Sequence, residues 1–161
     1  MSNIYLPEQF KIVSGVAGIV TTNGGVTSDI VDLKNVHMAW IVVTYLQAAT
    51  HATVLTPVTG ISIASCATAI TFAANWWKNA DISATDTLVA QTAATTMSAT
   101  LGVANQLLVI QIDPSDIVAQ LGTYHCLGFT VATSGEATNF MSANFWLQYR
   151  YPQATPATAI V

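Results

Sequence analysis

Residues 36–47 read VHMAWIVVTYLQ, and this stretch constrains the fold more than any other. It is dense in β-branched and aromatic residues, which suit a pleated, half-buried backbone. Alternation places Met38, Trp40, Val42 and Leu46 on one side and Ala39, Ile41, Val43 and Tyr45 on the other. Both sides are apolar. A strand of this kind belongs in the middle of a sheet, with one face in the core and the other against a second layer or another subunit.

The same stretch lies within a segment, between Lys34 and Lys78, that contains no Asp, Glu, Lys or Arg. It does not read as a membrane span. His37, Gln47, His51, Pro57, Gly60 and many Ser and Thr interrupt it, and no run of about twenty residues is consistently apolar. The N-terminus, MSNIYLPEQFK, lacks the basic start and apolar core of a signal peptide, so a cytoplasmic start is expected.

Further strands follow the same period of two. In QLLVIQID (106–113), Leu108, Ile110 and Ile112 share a face. In YHCLGFTVAT (124–133), His125, Leu127, Phe129 and Val131 oppose the smaller Cys126, Gly128, Thr130 and Ala132. In ANFWLQYRY (143–151), Phe145, Leu147, Tyr149 and Tyr151 oppose Asn144, Trp146, Gln148 and Arg150. Weaker strands are expected at 11–20, 28–33, 51–56, 61–72 and 87–101. Turn signals stand at 22–27 (TNGGVT), 56–60 (TPVTG), 113–116 (DPSD) and 133–136 (TSGE). Asn23-Gly24-Gly25 is the strongest hairpin candidate, since a primed turn needs positive φ. One short helix is expected in 113–122, capped by Ser115 and ended by Gly122.

Many short strands, recurring turns and almost no helix predict a single-domain β-sandwich of jelly-roll type. Residues 1–33 supply an N-terminal segment and the first strands of that domain, and 34–151 form its body. Residues 152–161, with Pro152 and Pro156 among Ala, Thr and Gln, read as an extended C-terminal arm.

Composition narrows the partners. Only 7% of the 161 residues are charged, against roughly 25% in an ordinary domain. Interface cores are depleted in Lys, Glu and Asp, so scarce charge favours a subunit buried among partners. A net charge of −4 with four Lys and Arg, well separated in sequence, argues against nucleic acid, whose phosphates need clustered cations. No polybasic run marks a membrane surface.

The candidate chemistry is thin. His37, His51 and His125 have no metal-ligand spacing, and no metal or other cofactor is expected. Asp113 and Asp116 fit turn and cap chemistry better than a carboxylate dyad. GxSxG, HExxH and a phosphate-binding glycine loop with Lys are all missing, so an enzyme is not expected. Cys66 and Cys126 belong to no CxxC pair. They read as buried reduced thiols first, with a disulfide, within or between chains, as the alternative. Trp76 and Trp77, in NWWKNAD, face opposite sides of a strand and serve as interface candidates; stacking on sugar is the competing use. Arg150, the chain's one arginine, either orders its own strand end or contacts a neighbouring chain, and Tyr151, Pro152 and Ile160 join it as interface candidates.

Three segments together resemble small virion proteins of tailed bacteriophages. They are KNVHMAWIVVTYLQAATHATVLTPVTG, then ITFAANWWKNADISATDTLVAQT, then NQLLVIQIDPSDI through FWLQYRYPQATPATAIV. The resemblance covers about residues 34–161 and implies a structural, auxiliary capsid protein of decoration or cement type. Such proteins bind the outside of the major capsid lattice, often as trimers, after assembly in the host cytoplasm. The two cysteines and the longer N-terminal segment depart from the family's pattern. A carbohydrate-binding or host-adhesion module of a virion is the alternative.

Overall fold

The computed structural model describes residues 9–99, 102–122 and 126–151. Among them the strands are β1 (Phe10–Ser14), β2 (Val20–Thr21), β3 (Val26–Thr27), β4 (Val31–Asp32), β5 (Val36–Gln47), β6 (Val54–Gly60) and β7 (Thr68–Ala69). They continue with β8 (Asn75–Asn79), β9 (Val89–Ala90), β10 (Met97–Ser98), β11 (Asn105–Ile112), β12 (Cys126–Val131) and β13 (Asn139–Tyr149). A 3-10 turn covers Ile63–Ser65, and one α-helix, α1, covers Pro114–Leu121.

The strands form two antiparallel sheets packed as a sandwich, as the alternating pattern predicts. The larger has the order β1-β13-β5-β11-β8-β9, with β2 also on β13. The smaller has the order β10-β6-β12-β3, with β4 on β12 and β7 on β6. β5 is central, held between β13 and β11 along nearly its whole length. Its alternation is realised as read: Ala39, Ile41, Val43 and Tyr45 are buried, and the residues between them are half-buried. Ile41 lies beside Ile110 on β11 and Phe145 on β13, so three strands present one continuous apolar layer. Leu55, Leu127, Phe129 and Val131 of the smaller sheet join it in one buried cluster. Phe129 and Phe145 meet across the sandwich with ring centroids 5.8 Å apart and tilted by 47°, a favourable aromatic arrangement.

Several local expectations needed correction. The Asn23-Gly24-Gly25 turn is no hairpin. Gly25 N–H donates to the Thr22 carbonyl at 3.1 Å and only Gly25 of the three has positive φ, so the turn is not of the primed kind. Its flanks part company, β2 joining β13 and β3 joining β12. The Thr22 carbonyl also accepts from Ser134 N–H at 2.8 Å, which ties the crossing to the 133–135 segment.

The segment 56–60 is strand, not turn, despite Pro57. The Pro57 carbonyl accepts from Ile70 N–H at 3.2 Å, on the β7 side. In a strand the N–H and C=O of one residue point the same way, so the missing donor faces a partner only two residues long. The weaker strands are fragments: β1 and β2 replace 11–20, and β9 and β10 replace 87–101. The helix is capped by Asp113 rather than Ser115; its carboxylate accepts from Ser115 N–H and Oγ, both at 2.8 Å. Gly122, with φ of 75°, ends it as expected.

Candidate interaction face

The outward side of the larger sheet gathers aromatic residues from separate strands. β13 sets Trp146 directly opposite Trp40 of β5, and β1 sets Ile12 opposite Trp146. One register step along, Asn144, Val42, Val109 and Trp77 run across β13, β5, β11 and β8. Phe10, from β1, reaches over β13, its ring centroid 6.1 Å from that of Trp40. Phe10, Trp40, Val42, Val109 and Trp146 line a groove of about 380 Å³. Trp146 is 37% and Ile12 50% exposed.

Among the described residues, the strands of this side carry no charge outward. On β1, β13, β5, β11 and β8 the outward positions carry apolar, Ser, Thr, Asn or Gln side chains, with no Asp, Glu, Lys or Arg. Lys11 and Lys78 stand at register positions of the opposite face, beside Leu147 and Leu108. No charged side chain among the described residues of these strands faces this side, and a contiguous apolar patch on a sheet is a feature of interaction surfaces. Tryptophan at the centre of such a patch is the residue most often found to dominate binding.

The two tryptophans singled out from NWWKNAD divide as alternation requires. Trp76 is buried on the core face; its Nε1–H donates to the Thr92 carbonyl at 2.9 Å, and Lys78 Nζ lies 5.8 Å from its ring centroid. Its indole is taken up by the core of this chain. Trp77 is half-buried on the outward face, paired with Val109 and Ala90. Arg150 does not share the Trp146 face of a strand, because β13 ends at Tyr149 with a register shift after Gln148. Its backbone N–H instead donates to the Asn35 carbonyl at 2.9 Å, and its side chain is exposed. Tyr151 lies beyond the strand too, 72% exposed. Pro152, Ile160 and the C-terminal arm, together with His125, lie outside the described residues.

His37 is exposed near the start of β5, and His51 sits in the following loop, where its carbonyl accepts from Gln47 Nε2 at 2.7 Å. No group of three metal-ligating side chains forms among the described residues. Cys66 and Cys126, sixty positions apart in sequence, are buried free thiols on either side of Gly60, which is the register partner of Cys126. Burial pushes both upward from the ordinary thiol range, which suppresses the reactive thiolate.

Sequence reasoning missed Phe10, Ile12, Trp40, Val42, Val109 and Trp146 as a group. The signal was present in β5, whose second apolar face needed a cover, but the strand order that assembles the group was not. A comparison with protein families, with curated proteins and with solved structures gives no match.

Proposed function

We propose that this chain is a structural subunit of a tailed-phage virion, a decoration or cement protein that binds the exterior of the major capsid lattice. The outward face of the larger sheet is its adhesive surface. One observation carries the reading: a face assembled from five strands, bearing tryptophans and a groove and, among the described residues, no charged side chain. Apolar area removed from water contributes roughly 25 cal/mol per Å² before the costs of association. Repeated modest contacts over a lattice then add avidity without one very strong contact. A trimer is the assembly state this reading favours. The resemblance of residues 34–161 to phage virion proteins names the lattice, and the scarcity of charge agrees with it.

The glycan-binding alternative draws no support from the groove. Sugar hydroxyls need polar partners converging on the site, whereas the five lining residues are apolar or aromatic. The test is to purify virions, measure the copy number of this chain against the major capsid protein, and label the particle exterior. Stoichiometric, surface-labelled protein supports the reading. Absence from the particle, or binding of the isolated chain on a glycan array, overturns it.

A further inference from the structure

We propose that Cys66 and Cys126 are an oxidisable dithiol, a redox latch whose disulfide fastens the 61–67 segment to β12. The proposal is independent of the adhesive face, because it rests on the other sheet.

The arrangement begins at Gly60. β6 ends there, with Gly60 the register partner of Cys126. The chain then leaves the sheet through Ile61, which is 68% exposed, makes the short 3-10 turn and returns across Gly60. The return is so close that a Cβ at position 60 would collide with the Ser65 carbonyl oxygen. Only glycine allows the crossing, and the crossing delivers Cys66 to the neighbourhood of Cys126. Cys126 Sγ lies 3.3 Å from the Gly60 carbonyl and 3.2 Å from that of Ser62. Cys66 Sγ lies 3.9 Å from the Val58 carbonyl. Cys66 Cα lies 2.8 Å from where a Gly60 Cβ would stand, and Gly60 is the register partner of Cys126, so both cysteines flank the same glycine. Both cysteines thus pack around one residue, Gly60, where β6 ends and β12 begins.

The surrounding chain explains access. Ile61, Ser62, Ala64, Ser65 and Ala67 are exposed, while Cys66 beneath them is buried. Weakly held, solvent-facing segments open locally at low free-energy cost, and opening this one uncovers both sulfurs. The oxidant is a small-molecule disulfide, RSSR. The Cys126 thiolate attacks one of its sulfurs, forming a mixed disulfide and releasing RS⁻. That RS⁻ takes the proton of Cys66, and the Cys66 thiolate attacks Cys126 Sγ and expels the second RS⁻, which is protonated by the proton Cys126 first gave to solvent. Two protein thiols are oxidised and one RSSR is reduced to two RSH.

In a reducing cytoplasm the pair stays open; after release into an oxidising medium it closes. The closed bond ties a loop running from residue 66 to residue 126, and cross-links over loops of this size restrict the unfolded chain substantially.

The experiment incubates the folded, reduced, full-length protein with oxidised glutathione at mildly alkaline pH. Expected are loss of both thiols in a denaturing thiol assay, an intact-mass loss of two hydrogen atoms and a peptide joining Cys66 to Cys126. The product stays one chain on a non-reducing gel, and its Tm rises by roughly 5–10 °C. The Cys66→Ser variant is expected to stop at a glutathione adduct on Cys126 with no rise in Tm. Two thiols remaining in the wild type, a persistent wild-type adduct or disulfide-linked dimers would overturn the proposal.

Discussion

Trp146 of β13 stands directly across from Trp40 of β5 on the side of the larger sheet turned away from the core. The neighbours of each point the other way. Phe145 and Leu147 are fully buried, as are Ala39 and Ile41. Two adjacent strands thus alternate between a core layer and a second aromatic layer that this chain leaves partly open. The first layer explains why the protein folds, and the second is the basis of its proposed adhesion.

The core contains one costly group. Tyr45 is buried on β5, and its hydroxyl finds no hydrogen-bond partner among the described residues. A buried, unpaired hydroxyl costs about 1–3 kcal/mol in lost hydration, and removing it with shape preserved is neutral or stabilising. Tyr45→Phe is therefore expected to leave stability unchanged or raise it by about 1 kcal/mol. A urea midpoint at or above that of the wild type confirms this; a clear fall would mean that the hydroxyl is paired.

Asn139 makes the opposite case. Its Oδ1 accepts from the N–H groups of Ala48 and Ala49 at 3.0 and 2.8 Å, and its Nδ2 donates to the Ala49 carbonyl at 3.0 Å. One side chain at the start of β13 thereby holds the turn that follows β5. Asn139→Ala leaves two donors and an acceptor without this partner and is expected to cost about 2 kcal/mol. Hydrogen exchange in residues 48–50 should accelerate beyond the change in global stability.

The thiols predict an alkaline limb. Burial raises both Cys66 and Cys126 in the folded chain, while an unfolded thiol ionises near about pH 8.5. Below that pH both states hold the proton and stability is full. Above it the unfolded chain releases protons that the folded chain keeps, so stability falls, by up to about tenfold in the folding constant per pH unit for each thiol. Denaturation of the reduced protein between about pH 7 and about pH 9.5 should show this slope, and Cys66→Ala should flatten it. A flat wild-type profile would contradict it.

Local elements were legible because they are written in local alternation. The inward faces of β5, β11 and β13 follow from the period of two, and the buried residues fall on them as read, whereas β12 is buried on both faces, Cys126 and Gly128 as well as Leu127 and Phe129. Pairing between distant strands is not local. Phe10, Trp40 and Trp146 meet only because β13 lies between β1 and β5, and no spacing in the chain announces that order. The Cys66–Cys126 proximity is hidden similarly, since it depends on the return of the chain over Gly60. Asn23-Gly24-Gly25 misleads for a related reason: it supplies a tight turn, but long-range pairing sends its two flanks to different sheets.

The proposed adhesive face is tested most directly by placing one charge at its centre. Trp146→Glu puts a carboxylate where no charged side chain stands, at a position open enough to leave the core intact. Binding of wild type and variant to capsids stripped of this protein, measured by co-sedimentation, decides the matter, with circular dichroism and Tm confirming that the variant is folded. The account predicts at least about a hundredfold weaker binding with the fold retained. Undiminished binding by a folded Trp146→Glu protein would contradict it.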